Sequence, residues 1–262
     1  MKFTRFTFAP HVLATAVALS VVATAASAEA GSITFSGSNG SLSAQVKFED
    51  VGNQLIVTLT NTSTADALVP VDILTGVFFN STDLTLTKLA AALAAGTTVA
   101  FGPDGGGDVG GEWAYLANGA GLGGGVTQNS GISSSGLGLF GPGDRFSGVN
   151  LQGPDSPDGL QYGITSALDN LGSGNAAVTG GNALIKNSVV FTLGNWNGGD
   201  VSLGEAISNI RFQYGTALNE GDFPGITELL IPDVHAPEPA SMLLTGTGLL
   251  ALARSIRRRK KA

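Results

Sequence analysis

The chain reads as an all-β protein: an antiparallel β-sandwich or jelly-roll-like domain between two targeting segments. Three observations predict this. Apolar and polar residues alternate with period two through Leu42–Phe48 and Leu55–Thr60, the pattern of strands with one buried and one wet face. Glycine supplies 39 of the 262 residues, twice the usual share of about 7 % and without a collagen period, so turns are frequent. Between those turns the apolar runs are short, and the domain shows almost no helix signal. No repeat of fixed period occurs, which argues against a solenoid.

Taken in order, Ile33–Phe35 begins the domain as a strand. In the next strand Leu42, Ala44, Val46 and Phe48 face one way; Ser43, Gln45, Lys47 and Glu49 face the other. Asp50-Val51-Gly52-Asn53 is a turn, and Leu55, Val57 and Leu59 return as the second arm of a hairpin. Val69–Asn80 is β-rich, with Val77, Phe78 and Phe79 expected in the core. Lys88–Ala95 is rich in Ala and Leu, follows Thr87 and stops at Gly96, which predicts a short helix. Thr97–Phe101 returns to strand, and Gly102–Gly111 is a glycine-aspartate loop.

Glu112–Ala117 predicts a strand carrying Trp113 and Tyr115 on one face. Gly119–Gly143 has isolated apolar residues without a period and predicts a long, partly ordered loop. Phe146–Leu151 and Leu160–Ile164 read as short strands around the turn-forming run 153–159. Ser166–Leu171 suits one helical turn. Two strands close the domain: Val189, Phe191 and Leu193 share one face, and Ile210, Phe212 and Tyr214 share another, opposite Arg211 and Gln213. The turn-rich residues 217–235 predict a spacer, giving an exported domain over 29–216.

At the N-terminal end, Lys2 and Arg5 precede an apolar stretch Val12–Ala26, and Ala26-Ser27-Ala28 is a small-x-small cleavage site. Residues 1–28 therefore read as a secretory signal peptide cut before Glu29. Its partners are the Sec machinery and signal peptidase. All 20 acidic residues lie between Glu29 and Glu238, where the only cations are Lys47, Lys88, Arg145, Lys186 and Arg211. The exported part is thus near −15, against −7 for the whole chain. Such a surface repels nucleic acid and anionic lipid, and with no basic patch outside the tail, DNA and RNA partners are excluded. The chain has no cysteine, hence no disulfide, thiol nucleophile or thiolate metal site. The roughly 210 residues left after processing suffice for one domain with its own core.

The tail, 236–262, combines three devices. Pro237-Glu238-Pro239 fixes φ twice and removes two backbone donors, which predicts an extended, exposed grip for a processing enzyme. The 14 uncharged residues Ala240–Ala253 follow. They cover roughly 21 Å as a helix, and Ile256 with the stem of Arg254 extends the span to about residues 240–256. Then come Arg254, Arg257, Arg258, Arg259, Lys260 and Lys261, a basic stop that places this end in the cytoplasm and the domain outside.

The order Pro-Glu-Pro, short apolar span, Arg-rich end resembles the PEP-CTERM sorting signal of exported bacterial proteins. The resemblance covers about Ala236–Ala262 and maps Pro237, Glu238 and Pro239 onto the family motif. It implies a transient inner-membrane tether and processing near the Pro-Glu-Pro by an exosortase, a membrane-embedded cysteine transpeptidase-like enzyme. It also implies delivery to the cell surface or the extracellular matrix of a biofilm-forming Gram-negative organism.

The domain's own chemistry is sparse, so the expected role is structural or adhesive and not enzymatic. His11 falls in the signal peptide and His235 in the spacer, leaving no His base for a nucleophile and no usual zinc ligand set. Paired-carboxylate glycoside hydrolysis would need two facing acids such as Glu112 or Glu205. Calcium, the one candidate cofactor, takes hard oxygen ligands, and the places for it are Asp104 with Asp108 or Asp155 with Asp158. Sugar stacking would use an aromatic face. Trp196, in the polar turn Asn195-Trp196-Asn197-Gly198, is the exposed candidate; Trp113 with Tyr115 is the second, although Trp113 reads first as a packing residue; extracellular polysaccharide would be the partner. Asn61-Thr62-Ser63 and Asn80-Ser81-Thr82 match a glycosylation triplet but read as strand-end turns.

Overall fold

Alternation in the sequence becomes a three-strand meander. Strands β1 (Ser32–Asn39), β2 (Leu42–Val51) and β3 (Gln54–Asn61) are joined by two-residue loops. Gly40 and Gly52 take positive φ, 64° and 65°, as such hairpin turns require. Register places Phe35 opposite Val46, and Val46 opposite Leu59, so the apolar residues share one face. The computed structural model describes residues 31–197 and 201–227.

Further strands follow along the chain: β4 (Leu74–Ser81), β5 (Thr87–Leu93), β6 (Thr98–Ala100), β7 (Ala114–Ala117) and β8 (Ser130–Ser133). Next are β9 (Ile164–Thr165), β10 (Leu184–Lys186), β11 (Ser188–Gly194), a one-turn helix α1 (Leu203–Ala206) and β12 (Ile207–Tyr214). The last are β13 (Asp222–Pro224) and β14 (Ile226–Thr227). One sheet has the order β14-β1-β2-β3-β11-β5 and the other β13-β12-β4-β9-β10-β6, with β8 and β7 added beside β4. Every described pairing is antiparallel except β9 with β10.

The two sheets pack face to face as a β-sandwich. Phe48 of β2 meets Phe79 of β4 across the core, ring centroids 5.1 Å apart, edge to face. Trp113 and Phe146 both pack on Phe191 of β11, at 5.0 and 5.5 Å. Burying such rings contributes about 2–3 kcal/mol each, more where edge-to-face geometry adds to area. Val77, Phe78 and Phe79 are buried, as are Val189, Phe191 and Leu193. Ile210, Phe212 and Tyr214 are buried as well.

Several elements differ from expectation. Lys88–Ala95 is not a helix: Thr87–Leu93 forms the edge strand β5, with Leu93 opposite Val189. Its Ala and Leu residues favour helix only weakly, and the free edge of β11 supplies backbone partners instead. Gly119–Gly143 is not merely a loop, since β8 lies within it, all four residues buried against β4. Phe146–Leu151 is not a strand, Leu160–Ile164 contributes only its end to β9, and Ser166–Leu171 forms turns without helix. Part of the stretch 217–235, expected as a spacer, belongs to the sandwich. Asp222–Pro224 pairs with β12 in one sheet and Ile226–Thr227 with β1 in the other. The chain thus crosses the open side of the sandwich at Gly225. Gly37 makes room for it: a Cβ there would clash with the Pro224 carbonyl oxygen.

Among the described residues no helix is long and apolar enough to cross a membrane. The signal peptide, His11, His235, Pro237–Pro239, the apolar span and the basic tail lie outside the described residues.

Candidate functional site

The three candidate sugar-stacking aromatics do not form a surface platform. Trp196 is 2 % exposed, although its neighbours in the turn are polar. Its backbone N–H donates to the Asn53 carbonyl at 3.2 Å, and the next residue, Asn197, donates its N–H to Asp83 Oδ2 at 3.2 Å. These bonds fold the turn back, so the indole enters the core between the sheets. Trp113 and Tyr115 belong to the same core. Burial explains the correction: a large ring gains more from packing than its polar neighbours lose by turning outward.

Asp83 organises that corner. Its Oδ1 accepts from the Thr85 N–H and hydroxyl, both at 2.8 Å. Partial burial alone raises its pKa, but these bonds and the one from Asn197 hold the carboxyl below its ordinary value.

The carboxylates offered for catalysis are engaged in holding backbone. Glu112 is fully buried. Its Oε1 accepts from the Leu151 N–H and from the Gln152 N–H at 3.1 Å, and its Oε2 from the Ser156 hydroxyl at 2.6 Å. Glu205 caps α1, accepting from the Ser202 N–H at 3.1 Å and hydroxyl at 3.0 Å. The two acids sit in different parts of the fold, one under the 151–156 loop and one at the start of β12.

The calcium candidates have similar duties. Asp104 accepts from the Gly106 N–H at 3.0 Å and Asp108 from the Gly110 N–H at 2.9 Å, both as turn caps. Burial, and then the charge of Asp155, push the Asp158 carboxyl above its usual range. Among the described residues no group of three or more His, Asp or Glu side chains is arranged to hold a metal. Asn61 of the first glycosylation triplet is buried, its side-chain N–H donating to the Ile164 carbonyl at 2.8 Å. Asn80 of the second accepts from the Asn129 N–H at 3.1 Å.

Sequence reasoning missed two acids that pin the loops, Asp169, which is buried, and the partly exposed Asp66. Asp169 accepts from the Ala67 N–H at 2.9 Å and the Thr165 hydroxyl at 2.6 Å. Asp66 accepts from the Asn170 N–H at 2.9 Å. Both acids link segments over a hundred positions apart, which local spacing does not reveal.

No curated protein and no solved structure matches the chain. One family model does: the PEP-CTERM protein-sorting motif, over residues 235–259. That match covers the tail alone and begins after the last strand of the sandwich, which ends at Thr227. Pro237, Glu238 and Pro239 lie inside it, as do the apolar stretch and Arg254–Arg259. The chain therefore carries the PEP-CTERM sorting motif of an exosortase-processed protein, which implies export through a membrane-anchored intermediate to the cell surface or the extracellular space.

Proposed function

We propose that the β-sandwich is a non-enzymatic structural or adhesive component of an extracellular biofilm matrix. It is brought out by the Sec machinery and signal peptidase, held briefly in the inner membrane, and handed on by exosortase. The observation that carries this reading is the sorting motif at 235–259 following a body whose buried acids serve its own loops. Glu112 and Glu205, the acids offered for hydrolysis, are committed to loop and cap bonds. Asp104 and Asp108 likewise serve turns, which favours a body needing neither calcium nor another cofactor.

The test is fractionation of cells with and without the exosortase, with mass measurement of the C-terminus. In the presence of the enzyme, the protein should accumulate in the matrix without Arg259 and Lys260. In its absence, the intact tail should stay in the inner membrane. Replacing Pro237, Glu238 and Pro239 by Ala should have the same effect as losing the enzyme. A released protein still carrying its basic tail, or normal matrix mass in cells lacking the protein, would overturn the proposal.

A further inference from the structure

We infer that the outer edge of the β14-β1-β2 sheet is a binding site for a neutral, polyhydroxylated ligand, that is, an uncharged polysaccharide segment. This rests on the matrix reading above, since it names what the sandwich would hold there. It uses a different place from the buried tryptophans.

A groove of about 760 Å³ runs along this edge, within the range of about 300–1,000 Å³ typical of ligand sites. The hydroxyls of Ser36, Ser38, Ser43 and Thr62 and the amide of Gln45 line it, and Ile226 stands at one side. Register explains how these groups come together. Ser36 lies opposite Gln45, and Ser38 opposite Ser43, so the four share the outer face of one hairpin. Ser36 is also opposite Ile226 of β14. The result is a grid about 4.8 Å wide across strands and roughly 6.7 Å long between alternate residues.

Two features select the occupant. No charged side chain lines the groove, although the exported part carries fifteen more acidic than basic residues. An uncharged patch on such a body accepts a neutral ligand and disfavours an anionic one approaching through the surrounding field. Second, the polar groups are hydroxyl and amide, each able to donate and accept. They already bond among themselves: Thr62 to Ser43 at 3.0 Å, and Gln45 to Ser36 at 3.3 Å. Sugar hydroxyls match that chemistry. Ile226 is 71 % exposed and gives an apolar wall for the CH face of a sugar ring. Lacking an aromatic platform, a single site should be weak, with Kd near 1 mM on the order of the weakest useful contacts, and retention on a long polymer would come from many encounters.

The test is affinity electrophoresis of the mature protein in gels holding a neutral glucan, a galactomannan or a xylan, with alginate as the acidic comparison. Retardation is expected in at least one neutral gel and not in alginate. The double variant Ser38→Glu with Ser43→Glu should lose at least five-fold of that retardation. Adding the same charge elsewhere, with Thr64→Glu and Leu168→Glu, should leave it unchanged, and circular dichroism should show both variants folded. No retardation in any neutral gel, equal retardation in alginate, or an undiminished effect in the groove variant would overturn the inference. Binding in the gel without matrix accumulation in cells would refute the matrix reading alone. Accumulation without binding would refute the groove alone.

Discussion

The Ser156 hydroxyl donates to Glu112 Oε2 at 2.6 Å, with both residues buried. This bond fastens the 151–156 loop to the segment that leads into β7. Glu112→Ala would strand three donors, two backbone N–H groups and one hydroxyl. Each such loss costs about 1–3 kcal/mol, so a destabilisation of about 3 kcal/mol or more is expected in urea unfolding. Glu112→Gln keeps the shape but turns one acceptor into a donor, and should cost less. A Glu112→Ala protein as stable as the wild type would show that the loop is held by other contacts.

All three tyrosines are buried. Burial pushes Tyr115 and Tyr162 up to about 12, with help from the charge of Asp83 on the first and of Glu112 and Asp104 on the second. Tyr214 is raised as well, chiefly by burial. Unfolded phenols ionise near pH 10. Between about pH 10 and 12 the unfolded chain therefore binds fewer protons than the folded one, and stability falls as pH rises. Absorbance at 295 nm should stay low past pH 10 and then rise together with the loss of far-ultraviolet circular dichroism. Early, gradual ionisation of two phenols would contradict their burial.

Trp196 and Trp113 are the only tryptophans, and both are core residues. Native fluorescence should be blue-shifted and poorly quenched by acrylamide. Trp196→Ala should cost about 3–5 kcal/mol of stability, the usual range for a buried ring removed, while leaving retention on neutral polysaccharide intact wherever the protein stays folded. Loss of retention at full stability would restore Trp196 as a sugar contact.

Asp158 is raised partly by the charge of Asp155. A carboxyl raised in the fold penalises folding once ionised, and the penalty disappears as pH falls below the unfolded value of about 3.9. Asp155→Asn should therefore stabilise the fold slightly at pH 7, by at most about 1 kcal/mol for so exposed a pair, read as a higher melting temperature, and have no effect near pH 3. Equal gains at both pH values would point to backbone effects in the turn instead.

Much of the sandwich was legible because period-two alternation is strong where one face is wet. Val46, Phe48, Val57 and Leu59 announce the core face of β2 and β3 directly. Elements whose residues owe their state to neighbours were harder to read. β8 contains a single bulky apolar residue, Ile132, because Phe78 lies over Gly131, its ring 2.7 Å from where a Cβ would sit. β5 reads as helix by propensity but takes its hydrogen bonds from β11. Trp196 reads as exposed because its neighbours are polar, yet Asp83, far away in sequence, pulls the turn inward. The tail was legible without a fold, since its proline pair, apolar span and charge act through the membrane and an enzyme.

Thr227 lies opposite Phe35, and β14 runs antiparallel to β1. The polypeptide thus leaves the sandwich heading toward the same pole at which Gly31 enters it. The opposite pole bears the Gly40 hairpin tip and the loops that Asp66 and Asp169 clasp together, with Leu168 77 % exposed among them. A molecule that reaches the sandwich from the side opposite its chain exit meets those loops first.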